Sequence, residues 1–429
     1  MVHPSFKRLS GEAFWVAVGI ALSTIGIFAG VRLLTSVMTP EEYGKLALAV
    51  SMALGLVYSL GVGGGEGVIR FFPIARNDGA AEWYWLALRR CFTGVTVLTG
   101  LLTVLLTAVV WVMGFKMDRI LLWAVTTLFG GALTIHTLAF SLHTGARNRK
   151  IVGAHQCAYE WGRFLMAFSL VLLWRDHAGV VMFGFLIAVL AVIGSEWCWA
   201  RNLILSDWSQ EPSAADRTTD FFSYFWPMVV AGLFFWMQMF ADRWALKAFC
   251  SLEEVGVYFA LYQISYSPMI HFSKFLAGFL GPVLYGKSGD GTDHEQNRQA
   301  LLINEKVALI LLGLVLAGFG VALLIGRPVC ALLVDGSYSS GFWAFPWILF
   351  SGGIYAIAQQ LLLSVTSGTD TRVMIPIRAL SAALSCGFYL AGALFWGFSG
   401  VVFGGLAFTI VFLVITALVH VSRKRHSRS

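Results

Sequence analysis

Long apolar runs follow one another along almost the whole chain. They lie at residues 12–36, 43–69, 89–113, 119–143, 151–174, 179–201, 220–247, 252–281, 303–326, 342–366, 373–395 and 399–421. Each is long enough to cross a bilayer as a helix, which takes roughly 20 apolar residues. In lipid every backbone polar group must be satisfied within the protein, and helices do this segment by segment. A soluble domain carries about 25% charged residues; here the figure is 12%, with 58% hydrophobic residues in 429. The runs are joined by short connections that leave little room for a soluble domain. The expectation is an all-α polytopic membrane protein with about twelve transmembrane helices.

The net charge of +7 invites a nucleic-acid reading, but the placement of the cations points elsewhere. Lys7 and Arg8 precede the first run, and Arg70, Arg76, Arg89 and Arg90 surround the second connection. Arg147, Arg149 and Lys150 fill the fourth, and Arg423, Lys424, Arg425 and Arg428 form the tail. If the spans alternate, these fall on one side, which the positive-inside tendency assigns to the cytoplasm together with both termini. The N-terminal run is too long for a signal-peptide core and lacks a clean small-residue cleavage site, so it reads as a retained first helix. The six cysteines are scattered without a CxxC pair and read as apolar filler.

Two corners repeat about half the chain apart: "TPEEYG" at Thr39–Gly44 and "SLEEVG" at Ser251–Gly256. In each, a Ser or Thr stands three residues before a Glu, the capping-box pattern, and Pro40 takes the favoured first helical position. The acids also complement the positive end of the helix that follows. These corners therefore read as helix starts at the outer surface rather than as catalytic acids. The repetition suggests a duplicated unit. Six helices per unit is even, so both units share one orientation, an arrangement that many transporters use to bind cargo between halves. The expected division is an N-terminal lobe at 1–205, a polar cytoplasmic linker at 206–219 and a C-terminal lobe at 220–429 with its basic tail.

The segment 33–73, "LLTSVMTPEEYGKLALAVSMALGLVYSLGVGGGEGVIRFFP", closely resembles the start of bacterial polysaccharide flippases, the Wzx-like branch of the MATE-related MOP exporters. The segment 221–264, "FFSYFWPMVVAGLFFWMQMFADRWALKAFCSLEEVGVYFALYQI", resembles the start of that family's second half. The resemblance implies two six-helix lobes around a central cavity in the bacterial cytoplasmic membrane. It also implies a cargo, an oligosaccharide on polyprenyl diphosphate, moved to the outer leaflet for O-antigen or exopolysaccharide synthesis. A polysaccharide polymerase and chain-length machinery are the further partners to test for, alongside membrane lipids; nucleic acid is not expected. The family has no invariant catalytic motif, so no enzyme activity and no metal or organic cofactor are expected; a coupling ion, Na+ or H+, is left open.

Such a cargo needs cations and polar aromatics inside the spans, where charge is costly and usually functional or paired. Arg163 lies ~18 Å along its helix at ~1.5 Å per residue, near the middle of a ~30 Å core. Glu160 is on the same face. The two read either as a structural salt bridge or as a cavity wall that offers Arg163 to a phosphate, which its planar donors suit. Arg32 and Arg243 sit at similar depths before the two corners, with Asp242 beside Arg243. They read as snorkelling cations or as a cationic outer cavity. Lys274 falls toward the cytoplasm, to meet headgroups or an incoming diphosphate. Tyr258, Tyr262 and Tyr266 recur every four residues, either as ordinary packing or as a sugar-stacking stripe. Glu66, in "GVGGGEG", and His136 and Glu196, in the inner halves of their spans, are coupling candidates with structural alternatives. The glycines around Glu66 lack the Lys-Ser/Thr of a phosphate loop and read as close packing or irregular backbone. Pro227 and Pro268 interrupt two spans, and Gly400 and Gly404 form one GxxxG packing signal.

Three rivals follow. A multidrug or metabolite antiporter of the related branch would favour interior acids for cationic drugs. A major-facilitator transporter shares the six-plus-six plan, but "IRFFPIARNDGAAEW" lacks its Asp-and-basic, Gly-rich loop. A membrane polymerase or ligase would need a large outer loop bearing Arg and His, which the longest connections do not supply.

Overall fold

The computed structural model describes residues 4–77, 81–175, 177–205, 217–288, 294–363 and 374–426. The described residues are almost entirely helical. In chain order the helices are α1 (Pro4–Thr35), α2 (Pro40–Leu56), α3 (Gly63–Asn77), α4 (Ala81–Val112), α5 (Met117–Gly145), α6 (Arg149–Leu173) and α7 (Ala178–Leu205). They continue as α8 (Thr218–Phe249), α9 (Leu252–Ser288), α10 (His294–Leu333), α11 (Phe345–Leu363) and α12 (Met374–His426). A π-helical turn, Val57–Val62, joins α2 to α3, and a 3-10 segment, Gly336–Ala344, leads into α11.

Nine helical stretches among the described residues are long and apolar enough to cross a membrane. One of them, Ile375–Ser422, is 48 residues long, about twice what a bilayer needs. It is two spans: α12 breaks at Gly397, whose φ of 57° and ψ of −135° suit only glycine. The halves then fold back so closely that a side chain on Gly400 would strike the carbonyl of Gly392, and one on Gly404 that of Phe388. The GxxxG signal is thus satisfied by the neighbouring half of the same hairpin. α6 adds a further span-length helix of 25 residues, and its buried Glu160 and partly buried Arg163 explain why a hydropathy criterion passes over it.

The corners form as the sequence dictates. The Glu42 amide donates to Thr39 Oγ1 at 3.3 Å, starting α2. At α9 the capping box is complete: the Ser251 amide donates to Glu254 Oε2 at 2.9 Å, and the Glu254 amide donates to Ser251 Oγ at 3.1 Å.

Helix packing divides the chain into two compact units. The first comprises Met1–Met38, Lys45–Phe240 and Ile375–Ala379; the second comprises Thr39–Gly44, Ala241–Met374 and Leu380–Ser429. These units are cut differently from the repeat halves. Most of α8 packs with the first unit, and the six residues of the first corner pack with the second. The expected linker at 206–219 lies mostly outside the described residues.

Within the first unit α1 lies on α6, and α5 packs against α4, α7 and α3. An aromatic core gathers Phe71, Phe72, Trp83, Tyr84, Phe221 and Phe225 from α3, α4 and α8. Within the second unit α11 sits against α9 and α10, closed by Leu311, Ile354, Ile357 and Leu361.

Candidate functional site

In the first unit, α5, α6 and α7 enclose a polar network in otherwise apolar surroundings. His136 and His143 lie two turns apart on α5. Tyr159, Glu160 and Arg163 share a face of α6, with His155 one turn before Tyr159. α7 supplies Ser195 and Glu196. Glu196, only 1% exposed, carries the network: its Oε2 lies 3.0 Å from His136 Nδ1, and its backbone carbonyl lies 3.4 Å from His143 Nε2. A carbonyl only accepts, so His143 donates there through Nε2. By the same logic His155 Nδ1 donates to the Ile151 carbonyl at 2.8 Å, which leaves Nε2 to face Ser195 Oγ at 3.0 Å. The His136 ring also rests on Tyr159, with centroids 5.2 Å apart. Two buried atoms, Glu196 Oε1 and His143 Nδ1, have no hydrogen-bond partner among the described residues. In a dry interior an unpaired polar atom costs free energy.

Beside it, Arg163 Nη2 lies 2.5 Å from Glu160 Oε2. Glu160 Oε1 also accepts from Gln156 Nε2 at 3.4 Å. The guanidinium is caged by aromatic rings, 4.4 Å from the centroid of Phe164 and 5.4 Å from those of Tyr159 and Phe185. The same-face spacing of Glu160 and Arg163 therefore produces the ion pair that the sequence suggested. The pairing of His136 with Glu196, sixty residues apart, was not read from the sequence. Its only trace there is that both residues sit at matching depth in spans that begin on the same side. His143, His155, Ser195 and Tyr159 were missed altogether.

The second unit holds a separate network. Asp242 and Arg243 are each 1% exposed, and Arg243 Nη1 lies 3.2 Å from Asp242 Oδ1. The guanidinium stacks on Tyr262 at 4.3 Å and on Phe259 at 5.1 Å. The tyrosine stripe extends from there. Tyr258 and Tyr262 lie 6.1 Å apart, Tyr262 and Tyr266 stack at 4.7 Å, and Tyr266 meets Tyr355 at 5.9 Å. All three stripe residues are buried, so in this conformation their faces contact one another rather than an open cavity. Tyr355 and Tyr389, which join the cluster from α11 and α12, carried no sequence signal.

The remaining candidates are dispersed. Arg32 is exposed near the end of α1, and the Lys274 side chain lies outside the described residues. Glu66 is accessible to solvent in the first turn of α3, with protein crowding it on most sides. The glycines around it serve close packing: a side chain on Gly63 would strike the Met228 carbonyl, and one on Gly65 the Ser141 hydroxyl. Arg70, one turn beyond Glu66, lies 4.6 Å from the ring centroid of Tyr224. Among the described residues no group of three His, Cys, Asp or Glu could hold a metal ion.

Among solved structures, the chain is similar to a Vibrio cholerae MATE transporter, VcmN in the bent form, at 14% identity over 99% of both chains with a TM-score of 0.62. It is similar to a multidrug resistance MATE family transporter of the MOP superfamily in an inward-facing conformation, at 12% identity over 96% of this chain and 99% of that one, TM-score 0.70. It is also similar to the lipid II flippase MurJ in an inward closed conformation, at 11% identity over 98% and 90%, TM-score 0.67. At such identities these likenesses establish the fold, that of the MOP superfamily. No curated protein matches the sequence. The family model for "Polysaccharide biosynthesis protein" matches residues 11–284, well over half of the chain. A multi-pass helical membrane protein with the MOP fold, the chain belongs to the polysaccharide biosynthesis protein family.

Proposed function

We propose that this protein moves a polyprenyl-diphosphate-linked oligosaccharide from the inner to the outer leaflet of the cytoplasmic membrane, by alternating access, for surface polysaccharide assembly. The observation that carries the reading is Arg163, set deep in a span of a chain from this family, paired with Glu160 and ringed by aromatic side chains. A sugar diphosphate does not cross hydrocarbon unaided. An arginine presents a planar pair of donors to phosphate oxygens, and the Glu160 contact is one that a doubly charged diphosphate can displace. The positive-inside pattern supports cytoplasmic termini, which puts the cargo's entry on the basic side.

His136 and Glu196 supply the coupling element in this reading, one proton shared or released as the cargo crosses. The second reading is a cation-coupled multidrug antiporter, favoured by the MATE-like fold. A genetic experiment separates the two. Arg163→Lys and the paired change Glu160→Ala with Arg163→Ala, both at wild-type membrane level, should lower surface polysaccharide about tenfold or more, since a charge-assisted hydrogen bond contributes ~1.5–3 kcal/mol. Lipid-linked glycan should accumulate in the inner leaflet. Unchanged surface glycan would remove Arg163 from the cargo path. A deletion strain with full surface glycan and raised drug sensitivity would make the protein an antiporter.

A further inference from the structure

The two repeated corners meet. A side chain added to Gly44 would strike the carbonyl of Leu252, and one added to Gly256 would strike the carbonyl of Pro40. Each struck carbonyl lies four residues before the other glycine, so the contact has local two-fold symmetry. The sequence repeat is thus also a physical pair: "TPEEYG" crosses "SLEEVG" at the one residue type that lets two helix starts touch backbone to backbone.

The two corners differ at three positions, and one of these differences is large. Where the second corner has Val255, the first has Tyr43, and Tyr43 is completely buried. Its hydroxyl accepts from Gln263 Nε2 at 2.7 Å. Its ring meets Phe259 at 5.4 Å and Tyr338 edge-on at 5.7 Å. Residues 39–44 therefore pack as part of the second unit, although the chain on either side of them, through Met38 and from Lys45, packs with the first.

We infer that Thr39–Gly44 is a releasable strap: a glycine crossing with one tyrosine anchor, seated on the start of α9, that must come off for the outer end of the cargo path to open. Its construction suits an all-or-none contact. With no side chain at Gly44 or Gly256 to slide or repack, the crossing is either closed at backbone distance or parted, and packed interfaces switch between such states rather than deform smoothly. The anchor sets the strength. A buried tyrosine contributes the burial of its ring, and its hydrogen bond adds ~1 kcal/mol net. The inference rests on the transport reading and on the corners lying at the outer surface.

The test measures opening directly and needs no glycan. A single cysteine placed at Ser265, buried on α9 about three turns below the corner, is challenged from outside with a membrane-impermeant maleimide, in a chain whose native cysteines are replaced. Gly256→Ala, which forces the crossing apart, should raise the labelling rate at least tenfold. Tyr43→Phe, which keeps the ring and loses the hydrogen bond, should raise it about fivefold, the equivalent of ~1 kcal/mol. Gln263→Leu should match Tyr43→Phe, because it breaks the same bond from the other side. Comparable membrane levels and gel-filtration profiles show that each variant is folded. Wild-type labelling rates in folded Tyr43→Phe and Gln263→Leu would overturn the strap. Faster labelling with normal glycan export would keep the strap and show that its release does not limit transport. Faster labelling with no glycan phenotype even on deletion would keep the strap and overturn the cargo.

Discussion

The ion pair of the second unit allows a quantitative test, because its two readings differ in magnitude. Asp242 and Arg243 are each 1% exposed, with their charges joined at 3.2 Å and the guanidinium stacked on Tyr262 and Phe259. If the burial is structural, removing one partner leaves an uncompensated charge in a dry interior, at a cost of about 3–5 kcal/mol. Asp242→Leu or Arg243→Leu alone should then lower unfolding stability by that amount, more than a hundredfold in the folding equilibrium at ~1.4 kcal/mol per tenfold. Replacing both by leucine removes charge and countercharge together and should bring stability back to within ~1 kcal/mol of the wild type. The assay is denaturant unfolding of the purified protein in mixed micelles, followed by tryptophan fluorescence, which 16 tryptophans make sensitive. Single variants within ~1 kcal/mol of the wild type would refute the reasoning, since they would mean that water reaches these charges and that the pair lines an aqueous path. A double variant no better than the singles would refute it differently, by assigning the stability to the stacking of Arg243 on its rings.

Two other outcomes follow. Cys250 immediately precedes the second corner, and burial, aided by the Glu254 carboxylate, pushes its thiol above the ordinary 9.0. Thiolate is therefore scarce at neutral pH. As the only cysteine left, Cys250 should react with impermeant maleimide from outside more slowly than an unhindered thiol at pH 7.5, with a rate still climbing above pH 9; labelling only after permeabilisation would invert the topology. Glu196→Gln holds the network in its protonated form. In membrane vesicles it should leave glycan translocation insensitive to an imposed pH gradient that accelerates the wild type several-fold, and an equal response in both would exclude Glu196 from coupling.

The parts of the protein that could be read from its sequence are those governed by local chemistry. Apolar run length located the spans, because lipid leaves a backbone few alternatives. The capping boxes at Thr39 and Ser251 marked two helix starts to the residue, because their partners lie three positions away. Glu160 and Arg163 were paired for the same reason. Contacts across the fold left no such mark. His136 meets Glu196, and Tyr43 meets Gln263, only because helices distant in sequence pack side by side. Nothing in either local stretch specifies the other. The crossing of Gly44 with Gly256 lies between these cases: the repeat was visible, but not that its two copies touch.

The π turn at Val57–Val62 has a consequence for how α8 reads its neighbour. α8 runs antiparallel along the later part of α2, the turn and the start of α3. Trp236 donates to the Ser51 carbonyl at 2.6 Å, Gly232 abuts Tyr58, Gly63 abuts Met228, and Gly67 faces Phe221. A helix with one extra residue in a turn is rotated by about 100° beyond it. That rotation brings Gly63 and Gly67 round to the side already occupied by Ser51. An uninterrupted α-helix from Pro40 to Asn77 would turn its glycine-rich stretch progressively away from α8, as two screws of unequal pitch lose mesh. The single surplus residue acts as a vernier, resetting the thread midway so that one partner helix can engage both ends.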